Sequence, residues 1–292
     1  MKKTLTSPPL VHAVLDLRFS EIPSLNPIDT DPLKKLHERM ITEGFQEKIE
    51  SEAMIIDVTF DPDRQKMNQN RINKKRTLFR AAGETDIVEI REESIILKTT
   101  NYATFGEFYG RFHRVLEGCL DNLNGLRGAL LKSIGLRYVN VIAPTNQNSL
   151  SDLVSAEVLP ASLSMINDGN HVQGATFKVV ETKGRQILTV NFEELLARDN
   201  KVSKILPDNL MEPDTNCGLF IAGHPDWLKV TSKTYGLLDV DHTHHFQNSP
   251  LFDVDKINLA AEQLYQHARD VFWKTISKQA QQTWGVQDVE EY

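Results

Sequence analysis

Leu17-Arg18-Phe19 and Leu136-Arg137-Tyr138 lie in two strand-forming runs, and this internal echo constrains the fold more than any other feature of the chain. In the first run Val11, Ala13, Leu15, Leu17 and Phe19 alternate with His12, Asp16, Arg18 and Ser20, a period of two that specifies a half-buried strand. In the second, Ile134, Leu136, Tyr138, Asn140 and Ile142 share one face, and Gly135, Arg137, Val139 and Val141 the other. Pro23 stops the first run and Pro144 the second. A similar order follows each: a polar link, a strand pair and a long amphipathic helix. The expectation is an α+β fold. A duplicated β-α-β-β-β-α unit would form a curved antiparallel sheet with long helices on one face, saddle-like or helix-grip-like. The repeats would span 1–125 and 126–292 and share one continuous sheet, because no Gly/Ser/Pro-rich linker separates them.

Local signals fill in the units. Asp31-Pro32 supplies an N-cap and a first-turn proline for a helix that Gly44 ends. Strand-like pieces at 54–60, 77–82, 86–89 and 94–99 are set apart by turn residues, which predicts an antiparallel meander. Thr104 and Glu107 fit a capping box ahead of Phe105, Phe108, Phe112, Val115, Leu116, Cys119 and Leu123, all on one helical face. In the second half, a short helix is expected around 151–158 and a hairpin at 175–182 and 186–192. Residues 197–216, with Pro207 and Pro213, form a long surface excursion. Strands near 219–222 and 234–241 precede a last helix over 254–283, and 286–292 should fray.

The chain is long enough, at 292 residues, to bury a substantial core, and its 40% hydrophobic and 25% charged composition is that of a folded soluble protein. No apolar run approaches membrane-spanning length, no apolar stretch follows Lys2-Lys3, and Cys119 and Cys217 cannot build a disulfide framework. A cytoplasmic location is expected. The net charge of −7 argues against a dedicated nucleic-acid binder. Yet between Arg64 and Arg80 lie seven basic residues and no acidic one, which keeps a polyanion in play as a partner.

Three groups of residues stand as candidate sites. Alternation places Arg18 and Arg137 on the face opposite Leu17 and Leu136, where paired guanidiniums could hold a phosphate or carboxylate. The bland alternative is that each pairs with a strand neighbour such as Asp16 or Asp239, and it is the heavier of the two. Arg71, Lys74, Lys75 and Arg76 sit in a polar stretch that reads as a flexible hairpin arm suited to phosphate contacts, or as a solvated loop. Asp239, Asp241 and His245 would share one strand face as metal ligands, with His242 and His244 turned away and His171 and His224 in loops. A solvated strand end is the commoner meaning of such a cluster. No Gly-rich phosphate loop or nucleophile elbow is present, and no cofactor is implied beyond an adventitious transition metal.

The segments Pro9-Leu10-Val11-His12-Ala13-Val14, Ile134-Gly135-Leu136-Arg137-Tyr138-Val139-Asn140 and Leu237-Leu238-Asp239-Val240-Asp241 span nearly the whole chain. In order and spacing the chain resembles a sporadically distributed, uncharacterised prokaryotic family of about this length. The resemblance implies a two-half α+β fold, a bacterial or archaeal source and an accessory or defence-associated role, and it carries no activity. The element order is also similar to the saddle of TATA-binding-protein-like and related helix-grip folds, a likeness of topology alone. The favoured function is a non-catalytic binding protein that recognises an anionic small molecule or a protein partner on the open sheet face, with nucleic acid possible through the basic segment. Alternatives are a metal-dependent phosphodiester hydrolase and a structural subunit of a larger assembly.

Overall fold

The computed structural model describes residues 2–22, 30–61, 63–145, 147–161, 171–182, 184–221 and 230–289; the described side chains exclude those at 2, 30–32, 53–57, 70–73 and 289. The first half runs β1 (Lys2–Leu5), β2 (Leu10–Phe19), α1 (Thr30–Thr42), β3 (Glu47–Asp61), β4 (Lys66–Arg80), β5 (Asp86–Arg91), β6 (Ser94–Thr99) and α2 (Phe105–Asn122). The second runs β7 (Leu131–Ile142), α3 (Leu150–Leu153), β8 (Gly174–Thr182), β9 (Gln186–Leu196), β10 (Thr234–His245), α4 (Val254–Thr275), α5 (Lys278–Thr283) and β11 (Val286–Val289). Nine strands make one antiparallel sheet in the order β3-β4-β5-β6-β2-β7-β10-β9-β8. The fold is α+β.

The two echoing runs are neighbours at the middle of this sheet, with Leu15 opposite Leu136 and Leu17 opposite Ile134. On each side a meander leads away, and its last strand, β6 or β10, returns to pair with the run that began it. Ala13, Leu15, Leu17, Ile134 and Leu136 therefore point to one side, where Phe108, Phe112, Val115 and Leu116 of α2 and Ile257, Ala261 and Leu264 of α4 complete a single core. Burying each large side chain of this kind contributes about 1.5–3 kcal/mol. Helix α2 starts where expected, the Thr104 hydroxyl accepting from the Glu107 amide at 3.2 Å.

Several boundaries differ from the sequence reading. The segment expected as a loop-like basic arm is strand β4, and β3 and β4 pair along their whole lengths. Only Thr77 to Arg80 of β4 also pairs with β5, so the hairpin stands out as a two-stranded arm of roughly 30 Å from Ser51↔Arg76 to Asp61↔Lys66. The expected 151–158 helix is a single turn. The last helix ends at Thr275, because Ile276 is extended and Ser277 caps a new short helix by accepting from the Ala280 amide. Of the residues expected to fray at the C-terminus, Val286–Val289 instead form β11, which pairs with β1 in a second, two-stranded sheet, and 290–292 lie outside the described residues. No strand forms at 219–221, and 222 lies outside the described residues.

Gly236 permits one close approach. A Cβ there would lie 2.6 Å from the ring of the fully buried Phe192. Gly236→Ala is expected to destabilise the protein by about 1–3 kcal/mol through overpacking, measured by urea unfolding. An unchanged midpoint would show that the Phe192 ring can shift freely.

Candidate functional site

The face of the sheet away from the helices carries the charged candidates. Register places Asp16, Arg18, Ser94, Ile96, Lys98, Glu89, Arg91, Arg137, Asp239 and Asp241 together on it. Arg18 and Arg137 do share this face, and each is matched by a carboxylate. Arg137 grips Asp239 with two bonds of 2.7 and 2.6 Å, and their side chains are only 14% and 7% exposed. Arg18, 60% exposed, bonds Asp16 at 3.0 Å. Glu89 is fully buried and ringed by Lys98 at 2.7 Å, Arg91 at 2.6 Å and Arg76 at 3.5 Å. Burial alone would raise its pKa; Lys98, Arg91 and Arg76 overcome that and hold it down to about 2.

The long excursion after β9 lies across this face as a strap. Val202, Ile205, Leu206 and Leu210 pack on Val139, Val141 and Leu237, and the Tyr235 hydroxyl accepts from the Lys204 amide at 2.8 Å. Farther along, Asn209 accepts from Arg137, Glu212 accepts from Arg76, and Asp214 accepts from the Ser51 hydroxyl. Cys217 then joins Leu78 and Ile87, and the Gly218 carbonyl accepts from Arg80. The covering that an open sheet face demands comes from the chain itself.

The basic stretch divides in two. Arg76 is buried in the network just described, and Lys74 pairs with Glu93 at 2.5 Å. Lys75 is exposed, and the Arg71 side chain lies outside the described residues. Asp239, Asp241 and His245 share a strand face as expected, but Asp239 is held by Arg137 and His245 is exposed. Burial, opposed by Arg137, raises the Asp241 pKa. Among the described residues no three His, Cys, Asp or Glu side chains converge into a group able to hold a metal. His242 points the other way, its Nδ1 3.2 Å from the Leu264 carbonyl; His171 pairs with Glu194 at 2.6 Å, and His224 lies outside the described residues.

The helix side holds a feature that the sequence reading missed. A cavity of about 600 Å³ opens between α2 and α4 above the middle of the sheet. Its floor is Leu10, Tyr138, Asn140 and Val240, and its walls include Phe105 from α2 and Tyr265, Phe272 and Trp273 from α4. Strand β1 closes one side with Lys3, Thr4 and Leu5. A register shift between Leu10 and His12 turns Leu10 toward the cavity and Val11 toward the strap. Phe105 and Tyr265 stack with centroids 4.1 Å apart, and the Tyr102 and Tyr138 hydroxyls meet at 3.2 Å. Asn140, 2% exposed, places a side-chain amide on the floor of this cavity. The signal was visible: Asn140 interrupts the otherwise apolar row Ile134, Leu136, Tyr138 and Ile142. No family model matches the sequence, and no curated protein matches it significantly.

Two predictions follow from these ion pairs and histidines. Arg137→Ala leaves Asp239 buried and unpaired and should cost about 3–5 kcal/mol, whereas Arg18→Ala, exposed, should cost under about 1 kcal/mol. Chemical denaturation of both variants tests this, and equal effects would contradict the contrast in burial. His12 and His242 are both buried, and burial lowers each pKa to about 4. The unfolded chain therefore takes up protons below about pH 6.5 that the folded protein refuses, and stability falls with pH down to about 4 at up to roughly 1.4 kcal/mol per unit per histidine. Glu89 extends the loss from about pH 4.5 down to about 2, and Asp16 and Asp241, lifted by burial, act in the opposite sense near their own titrations. Unfolding midpoints that stay level from pH 7 to pH 5 would contradict the histidine assignment.

Proposed function

We propose that this is a non-catalytic binding protein in which two fused α+β units grip a small molecule between α2 and α4. The matching order of elements on either side of β2 and β7 supports reading the sheet as a duplicated, helix-grip-like arrangement. One observation carries the functional reading: an aromatic-walled cavity with the Asn140 amide on its otherwise apolar floor. A cavity of several hundred Å³, mainly apolar with a few convergent polar groups, has the usual make-up of a small-molecule site. The Tyr102–Tyr138 hydroxyl pair supplies a second polar point beside the amide. Burial raises both phenol pKa values, so these hydroxyls stay protonated and can donate. An accessory or defence-associated role in a prokaryote, implied by the family resemblance, belongs to the same proposal.

A second reading keeps a partner on the outside of the molecule. It is favoured by the projecting β3–β4 hairpin, whose outer end exposes Phe60 at 61% and Met67 at 70% beside Arg64 and Lys66. Arg18 and Lys75, exposed on the same half of the molecule, would add positive charge for an anionic protein or nucleic acid. The compensated state of Arg137 and Arg76 makes the sheet face itself the weaker site.

Titration with the neutral fluorophore N-phenyl-naphthylamine tests the cavity. One saturable site per chain is expected, weakened at least about tenfold by Ala268→Phe, which fills the space with a bulky ring. Asn140→Leu, which removes the polar group from the cavity floor, should leave the fold intact, with a stability change under about 1.5 kcal/mol. A signal that does not saturate, or one that survives Ala268→Phe, would remove the cavity reading.

A further inference from the structure

The rim of the cavity differs in charge from the rest of the chain. Lys3 and Arg269 line it, with Glu262 the one acidic residue among its lining side chains. The net formal charge around the opening is thus positive in a protein of net charge −7. Both cations sit over aromatic walls, Lys3 Nζ 6.0 Å from the Trp273 ring and the Arg269 guanidinium 5.9 Å from the Tyr265 ring. Such positions keep a cation at the edge of an apolar space. Among the described residues their carboxylate partnerships are weak or absent: Arg269 meets only the exposed Asp270 at 3.4 Å, and Glu262 is engaged with Gln266 at 2.6 Å. The first turn of the 18-residue α2 also borders the cavity at Phe105 and Gly106, and a helix start favours negative charge. The Asn140 amide adds a polar group on the floor of the same space.

Resting on the cavity reading above, we infer that the ligand is an amphipathic anion. Its flat or alkyl body lies between Phe105, Tyr265 and Phe272, one inner oxygen or nitrogen meets Asn140, and a carboxylate, phosphate or sulfonate head sits at the rim between Lys3 and Arg269. The volume suits a molecule of one to three rings or a medium-length acyl chain. The anionic partner anticipated for the arginine-bearing sheet face is thereby assigned to the opposite side of the sheet. The head group is recognised by charge, and the body by shape.

Two probes with the same aromatic body separate the parts of this inference: anilinonaphthalene sulfonate, which carries a negative head, and neutral N-phenyl-naphthylamine. The sulfonate should bind about tenfold or more tightly than the neutral probe at low salt, as a charge-assisted hydrogen bond provides. Its affinity should fall with added salt, while that of the neutral probe holds. Lys3→Gln combined with Arg269→Gln, both at the rim and away from the core, should abolish the difference and leave neutral binding unchanged. Equal affinities in the parent protein, or a difference that survives the double variant, would overturn the anionic head while the cavity reading stands. Failure of both probes to bind would overturn the cavity reading and the head assignment together.

Discussion

The antiparallel pairing of β2 with β7 is the constraint on which the rest of the structure depends. It sets Leu15 against Leu136 and Leu17 against Ile134 on the helix side, and Val14 against Arg137 and Asp16 against Gly135 on the other. A slip of one residue would turn every one of these side chains over, burying guanidiniums in the core and exposing leucines. Because β6 and β10 pair directly onto these two strands, the choice made at the centre passes outward through the whole sheet. The cavity floor and the row of ion pairs are both consequences of that register. One pairing gives the sheet two chemically different sides.

Those sides are stabilised differently. On the helix side, apolar side chains from the sheet, α2 and α4 form one continuous core. On the other, Arg137, Arg76 and Arg80 are matched by Asp239, Glu89, Glu212 and Glu47. The strap adds its own carboxylates and carbonyls to these cations, although Arg76 Nε is buried without a hydrogen-bond partner among the described residues. Removing one member of such a set costs far more than the set as a whole contributes. Arg137 thus serves the fold, while Arg18, its counterpart in the repeated Leu-Arg-aromatic pattern, stays largely exposed beside Asp16. The helix side has the complementary exception, where packing stops short and leaves a cavity around one amide. A well-packed core tolerates few spaces of that size.

Much of this was legible along the chain. The period-two runs identified β2, β7 and β10, and the Thr104 cap with its stripe of Phe105, Phe108 and Phe112 fixed α2. Asp16 and Asp239 were readable as partners for Arg18 and Arg137, because strand neighbours lie close enough to pair. Less was legible where distant segments meet. Nothing local predicts that Lys2–Leu5 pairs with Val286–Val289, since that ladder closes a loop of almost the whole chain. The proline-bearing excursion was recognisable as irregular, yet its path across Arg137, Arg76 and Ser51 depends on three strands brought together by the fold. The β3–β4 arm was legible as a strand-like 54–60 piece followed by a flexible basic hairpin arm, but the full length of β4 was not, because its Asn-rich sequence lacks the alternation that burial imposes.

Sequence by itself determined the strands, the main helices and which side of each faces inward, because these follow from periodicity and from caps a few residues apart. Only the tertiary structure decided which charges are already matched and which polar group faces a cavity. Arg137 and Asn140 are three residues apart on one strand. One is satisfied by an aspartate from β10 and the other faces an unfilled space, because a side chain's state depends on what the fold places opposite it.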